Sequence, residues 1–145
     1  MKAIIFFLSF FLFSTIAFSQ TGTDALLGTF LSQDGKGKIQ IFKAGSTYAG
    51  KIVWLKEPNN STTNLPKTDT ENPDKNKQQQ PILVLIILTG LKFSAEGKWI
   101  NGKIYDPNSG KLWDCDATLK GHSLKLKGYW KTTWFGRTEI WTRVL

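Results

Sequence analysis

The chain has one cysteine, one histidine, one methionine and, among its 19 basic residues, only two arginines. Each shortage excludes a class of function. A lone Cys115 cannot form an intramolecular disulfide, so a cross-linked miniature scaffold is ruled out. With a single imidazole, neither a multi-histidine metal centre nor a Ser-His-Asp relay has its usual spacing support. No glycine-rich phosphate loop joins a strand to a helix. Apolar residues occur at a helical period almost nowhere, which removes the helical folds.

One long apolar run stands at the start. Lys2 precedes the near-continuous stretch Ala3 to Phe18, and Ala17-Phe18-Ser19 puts small residues where a signal peptidase reads. The run is shorter than the roughly 20 residues that cross a bilayer and ends in small polar residues, so residues 1–19 are assigned to a signal peptide, with Gln20 first after cleavage. The cleavage point has no cysteine for lipid attachment, and no second stretch reaches membrane length. Residues 20–145 are then expected to be a single exported domain, periplasmic or extracellular, without a transmembrane segment.

Cleavage removes Lys2 and no acid, which leaves 18 basic against 11 acidic side chains. In an exported protein, that surplus suits anionic headgroups, envelope polysaccharide or solubility better than nucleic acid. The lysines fall in turns and at alternate strand positions, the pattern of a solvated surface.

Beyond the leader the apolar period is two. The alternation predicts eight strands: Leu27 to Ser32, Lys38 to Lys43, Thr47 to Leu55, Ile82 to Leu88, Lys98 to Tyr105, Lys111 to Leu119, Ser123 to Tyr129 and Thr138 to Val144. Ile82 to Leu88 is seven apolar residues in succession, the pattern of a strand buried on both sides, which periodicity alone does not separate from a short core helix, and Gly90 to Phe93 reads as an irregular continuation. Between the third and fourth strands, residues 56–81 hold Leu65 as their one large aliphatic side chain, and are expected to form a long, partly mobile polar loop. Asp106-Pro107-Asn108-Ser109-Gly110 is a turn by chemistry: an acceptor side chain, a pre-set φ, then a residue suited to positive φ. After it, Trp113, Cys115, Ala117 and Leu119 share one face, while Leu112, Asp114, Asp116 and Thr118 share the other. Short connections pair such strands antiparallel. The expected fold is therefore all-β, an eight-stranded antiparallel up-and-down barrel whose interior is either filled or holds one small ligand.

From about Leu27 to Val144 the chain resembles the bacterial family DUF2147. The segments that carry the resemblance are Gly28-Thr29-Phe30, Tyr48-Ala49-Gly50-Lys51-Ile52, Lys67-Thr68-Asp69 with Asn72-Pro73-Asp74, Tyr105 to Lys111 with Cys115, Leu124 to Tyr129, and Gly136-Arg137-Thr138 with Trp141-Thr142-Arg143. The resemblance implies a small exported protein with a calycin or lipocalin-like barrel, and it implies no activity. Barrels of that kind usually close with a tryptophan beneath an arginine of the last strand. Here Gly28, Phe30 and Arg143 take the matching positions. The chain departs from the family at Lys77-Gln78-Gln79-Gln80 and in the aromatic connection Trp130 to Phe135.

The remaining chemistry is sparse. His122 sits in a predicted turn, and Cys115 lies on the inward face as a small hydrophobe. Asp106, Asn108, Asp114 and Asp116 lack the ligand density of a calcium loop, so no metal is expected. No cofactor and no catalytic residues are assigned. The candidates for binding a small hydrophobic or amphipathic ligand are Trp99, Trp113 and Tyr129 as lining, Arg137 near a head group, and Trp134 in the aromatic connection. Arg137 is either an anchor or a contact for an anion, and the aromatic connection is either a lid or a partner surface. The other readings are an envelope interaction module with a filled barrel and, third, an enzyme acting on an envelope component.

Overall fold

The computed structural model describes residues 22–130 and 136–145. The leader and residues 131–135, including Trp134 and Phe135, lie outside the described residues. Eight antiparallel strands close into one barrel in chain order: β1 (Gly28–Leu31), β2 (Gly37–Ala44), β3 (Thr47–Leu55), β4 (Ile86–Ala95), β5 (Lys98–Asp106), β6 (Lys111–Lys120), β7 (Ser123–Tyr129) and β8 (Gly136–Arg143). The up-and-down barrel with a long connection between the third and fourth strands is thus the fold read from the alternation.

The connections sort to two ends. The turn at 32–36, the long connection 56–85 and the Asp106 to Gly110 turn share one end with the start of β8. The other end holds the β2–β3, β4–β5 and β6–β7 turns and the 3-10 helix Gly22–Leu26. That second end is closed. Leu26 is fully buried there, and Asp24 accepts hydrogen bonds from the Tyr48 hydroxyl at 2.7 Å and the Lys43 ammonium at 3.0 Å. Arg143 donates to the carbonyls of Leu27 and Ala25, both at 2.6 Å, and its guanidinium lies 4.6 Å from the centre of the Phe30 ring. Gly28 has φ +139°, and a Cβ on it would collide with Nη1 of Arg143, so the backbone can pass beneath the guanidinium only as glycine.

The inner faces follow the period of two. Ile39 and Ile41 of β2, Cys115 and Ala117 of β6, Leu124 and Leu126 of β7, and Trp141 of β8 are all buried. Trp99 is fully buried in the closed half, edge-on to Tyr48 and Phe93 with ring centres 6.4 and 5.9 Å away.

Two expectations are corrected. Ile82 to Leu88 is not one doubly buried strand. Residues 82–85 form a turn in which Val84 takes φ +71°, and Leu83, Val84 and Ile86 are exposed. The strand starts at Ile86 and runs through Gly90 to Phe93, the segment expected to be irregular, because β4 pairs from Lys51↔Ile86 to Tyr48↔Leu91 on one side and along β5 on the other. The apolar content of 82–85 is used at the mouth, where Ile82 and Leu85 pack on the core from the loop.

The polar connection also has more order than its composition suggests. Isolated bridges link Asn59 with Pro66 and Thr68 with Pro81, and a short 3-10 turn at Lys75–Lys77 is capped by the Asp74 side chain. Its anchor is Asp69, the single charged residue in the buried set of the described residues.

Candidate functional site

The open half of the barrel contains a cavity of about 620 Å³, within the range of roughly 300 to 1,000 Å³ common for small-molecule sites. Its floor is apolar, built from inward positions of four strands: Ile39, Ile52, Ile87 and Leu126, with Trp141 beside them. Ile104, Tyr105 and Trp113 continue the wall upward. The rim is polar and comes from the turn at 32–36, the loop residues Lys56, Glu57 and Lys67, the Asp106 to Asn108 turn, and Arg137 to Glu139.

One side of that wall is held by a buried polar lock. Asp69 accepts from the Tyr105 hydroxyl and from the Asn72 side-chain amide, both at 2.7 Å. Beside it, a Cβ on Gly110 would strike the Glu71 carbonyl, so the Asp106 to Gly110 turn meets the loop at backbone contact. Asp106 is occupied in shaping that turn, accepting from the Asn108 amide at 3.0 Å and the Ser109 hydroxyl at 2.8 Å. The two segments Lys67 to Asp74 and Tyr105 to Lys111, separate in sequence, are therefore the two halves of one joint.

Burial and the adjacent Asp69 push the Tyr105 hydroxyl well above the ordinary tyrosine value of 10.0. The neutral phenol is the form that the fold favours, so its contribution is complete below about pH 10 and is lost as the pH rises beyond that value. We predict that Tyr105→Phe lowers stability by about 1 to 3 kcal/mol, the cost of a buried acceptor that loses its donor. Urea unfolding between pH 7 and 11 should also show a shallower alkaline decline in the variant. An unchanged alkaline slope would remove Tyr105 as its source.

The inner face of β8 carries Arg137, Glu139, Trp141 and Arg143 at alternate positions. Glu139 turns inward opposite Leu126 and is bonded at both oxygens, to Arg137 Nη2 at 3.1 Å and to the Trp141 indole Nε1 at 3.1 Å. This carboxylate on the cavity wall escaped the sequence reading. Its only signal is parity, since a residue between Arg137 and Trp141 at a period of two must share their face.

The other candidates are spread over the barrel. Trp113 and Arg137 line the cavity. Trp113 also meets Trp130 edge-on at 6.0 Å, and Trp130 is half exposed. Trp99 is not on the cavity, because it lies one residue into β5 at the closed end and so is inward but at the wrong depth. Tyr129 is not on it either. It has the outward parity of Lys125 and Lys127, and its hydroxyl reaches Asp116 at 3.5 Å in a shallow outer recess. Trp134 lies outside the described residues.

Cys115 is fully buried among apolar neighbours, and burial, with the Asp116 and Glu139 charges, pushes its thiol up to about 12. A thiol held that far from ionisation is a poor nucleophile. His122 is exposed in the β6–β7 turn, where its carbonyl accepts from the Arg143 amide at 2.7 Å. Asp114 pairs with Lys103 at 2.8 Å and Asp116 accepts from the Asn101 amide at 3.1 Å, so these acids serve the outer wall separately.

A closed eight-stranded antiparallel barrel with one sealed end and a chamber at the other is a lipocalin-like fold. Residues 28–143 match DUF2147, described as an uncharacterized protein conserved in bacteria, and the chain belongs to that family. Among solved structures, it is similar to protein HP1028 from the human pathogen Helicobacter pylori, described as belonging to the lipocalin family. The TM-score is 0.72 at 18% identity, over 83% of this chain and 83% of that one. At that identity the likeness concerns the fold. The search of curated proteins gives no match. No helix among the described residues is long and apolar enough to cross a membrane.

Proposed function

We propose that the protein binds a small hydrophobic or amphipathic molecule in the barrel and performs no chemistry on it. The observation that carries this reading is the cavity itself: about 620 Å³, with an aliphatic floor and a rim of charged side chains. Such a division suits a ligand with an apolar body and a polar end. Trp113 contributes apolar wall and Arg137 stands at the rim as the head-group contact. Phe30, Gly28 and Arg143 seal the far end and take no part in binding. Catalysis has no support from the site, since the one thiol is buried and raised, and the acids on the rim are all engaged. We further propose that the chain is exported after cleavage behind Ser19 and works outside the cytoplasm.

The test is native mass spectrometry of protein purified from its host without detergent, followed by denaturing release. A reproducible small-molecule adduct that disappears on unfolding supports the carrier. A clean mass that persists after incubation with host envelope lipids would sink it. A second reading, an envelope interaction module, is favoured by the exposed apolar residues Leu83, Val84 and Ile86 on the β3–β4 side of the mouth, since apolar surface grouped in this way often marks a contact.

A further inference from the structure

The rim of the cavity has equal numbers of acids and bases, but they are not equally occupied. Asp34 accepts from the Ser32 hydroxyl at 2.7 Å and the Lys36 amide at 3.0 Å. Asp106 is used by its own turn, Glu57 faces the Lys67 ammonium at 3.7 Å, and both oxygens of Glu139 are bonded. Every carboxylate on the lining therefore already has a partner. The cations do not. Among the described residues, neither Lys36 nor Lys56 enters an ion pair. Arg137 gives Nη2 to Glu139 and keeps the rest of its fork in solvent, with its side chain 78% exposed.

These three cations line the same cavity. The Lys56 amide donates to the Lys36 carbonyl at 2.8 Å, so the two lysines leave neighbouring backbone. Arg137 is near the start of β8, at the same end of the barrel as the turn that carries Lys36, and β8 and β1 are neighbours in the strand order. The unused donors thus line the β8–β1–β2–β3 arc of the mouth, while the opposite arc is the self-satisfied Asp106 turn.

Resting on the cavity reading above, we propose that the ligand is an amphiphile with an anionic head, a carboxylate or a phosphate, gripped by Arg137 with Lys36 and Lys56. Glu139 is a positioning residue. Bonded through its other oxygen to Trp141, it ties the guanidinium to the wall by one nitrogen. An anionic head there gains charge-assisted hydrogen bonds from donors that have no other partner among the described residues. A cationic head would meet three like charges, and each carboxylate on the lining already has a partner of its own. A neutral head would gain little from the arc.

The experiment is isothermal titration calorimetry of the purified protein with decanoate, decyl phosphate, 1-decanol and decyltrimethylammonium, all below their aggregation limits. At low salt, at least one anion should bind about tenfold tighter than decanol and the cation should bind weakest, with salt weakening only the anions. The ratio of decanoate to decyl phosphate identifies the head. The double substitution R137Q/K56Q should bring the preferred anion close to decanol, both measured on the same variant. Both side chains are exposed, and the head-group series on the unaltered protein stands if the variant misfolds. Equal binding of decanol and both anions, or preference for the cation, overturns the head-group assignment while the cavity reading survives. Binding of none of the four overturns the cavity reading, and the head group with it.

Discussion

Replacing Arg143 with alanine is expected to lower the stability of the barrel by about 3 to 5 kcal/mol, through two lost charged hydrogen bonds and a lost cation-π contact. The two carbonyls it serves belong to Ala25 and Leu27, in and just after the 3-10 helix that plugs the closed end. Without the guanidinium each of them loses a charged donor. The site matters beyond these bonds because the β1–β8 ladder is short, with the residue pairs Phe30↔Arg143 and Leu31↔Thr142 and one more backbone bond from Val144 to Thr29. The side chain at one of those pairs therefore holds the weakest seam as well as the plug. Arg143→Lys should recover part of the loss, since an ammonium can serve one carbonyl well but cannot present a planar fork to two. Urea unfolding followed by far-ultraviolet circular dichroism reads both variants. A loss below about 1 kcal/mol for alanine would mean that backbone pairing alone keeps the seam shut.

The same seam shows what the sequence could and could not reveal. Strands with one face to the core and one to water declare themselves by alternation, and β3 and β7 run Thr47–Leu55 and Ser123–Tyr129 as the pattern predicts. Alternation is absent from Ile82 to Leu88, so nothing local marks where pairing starts. The start is decided by a neighbour, since Ile86 must meet Lys51, and the residues before it become a turn even though they are β-branched and aliphatic. Depth in the barrel is equally invisible to periodicity. Trp99 and Trp113 have the same inward parity on successive strands, but one begins its strand at the closed end and the other begins at the mouth. Trp99 is therefore plug and Trp113 chamber wall. Glu139 was hidden by its charge, which in a period-two pattern reads as an outward residue unless its flanking Arg137 and Trp141 are given priority. Asp69 was visible only as part of a motif without a reason. Its partner Tyr105 is 36 residues away, a contact that no spacing rule can supply.

That difference in depth gives the second large effect. Trp99→Ala is expected to cost about 3 to 5 kcal/mol, the range for emptying a fully buried aromatic position, because Trp99 has no exposed surface and packs edge-on to both Tyr48 and Phe93. Its indole Nε1 has no hydrogen-bond partner among the described residues. Trp99→Phe should consequently be mild, at about 1 kcal/mol or less, because the lost volume is offset by removing a buried donor that was never satisfied. Trp113→Ala should cost less than Trp99→Ala, about 1 to 2 kcal/mol, as its ring already borders open space and leaves no closed void when it is removed. Guanidinium unfolding of the three variants separates a filled lower half from an open upper half. If Trp113→Ala were as damaging as Trp99→Ala, the upper half would be behaving as packed core, and a barrel packed from end to end has no room for cargo.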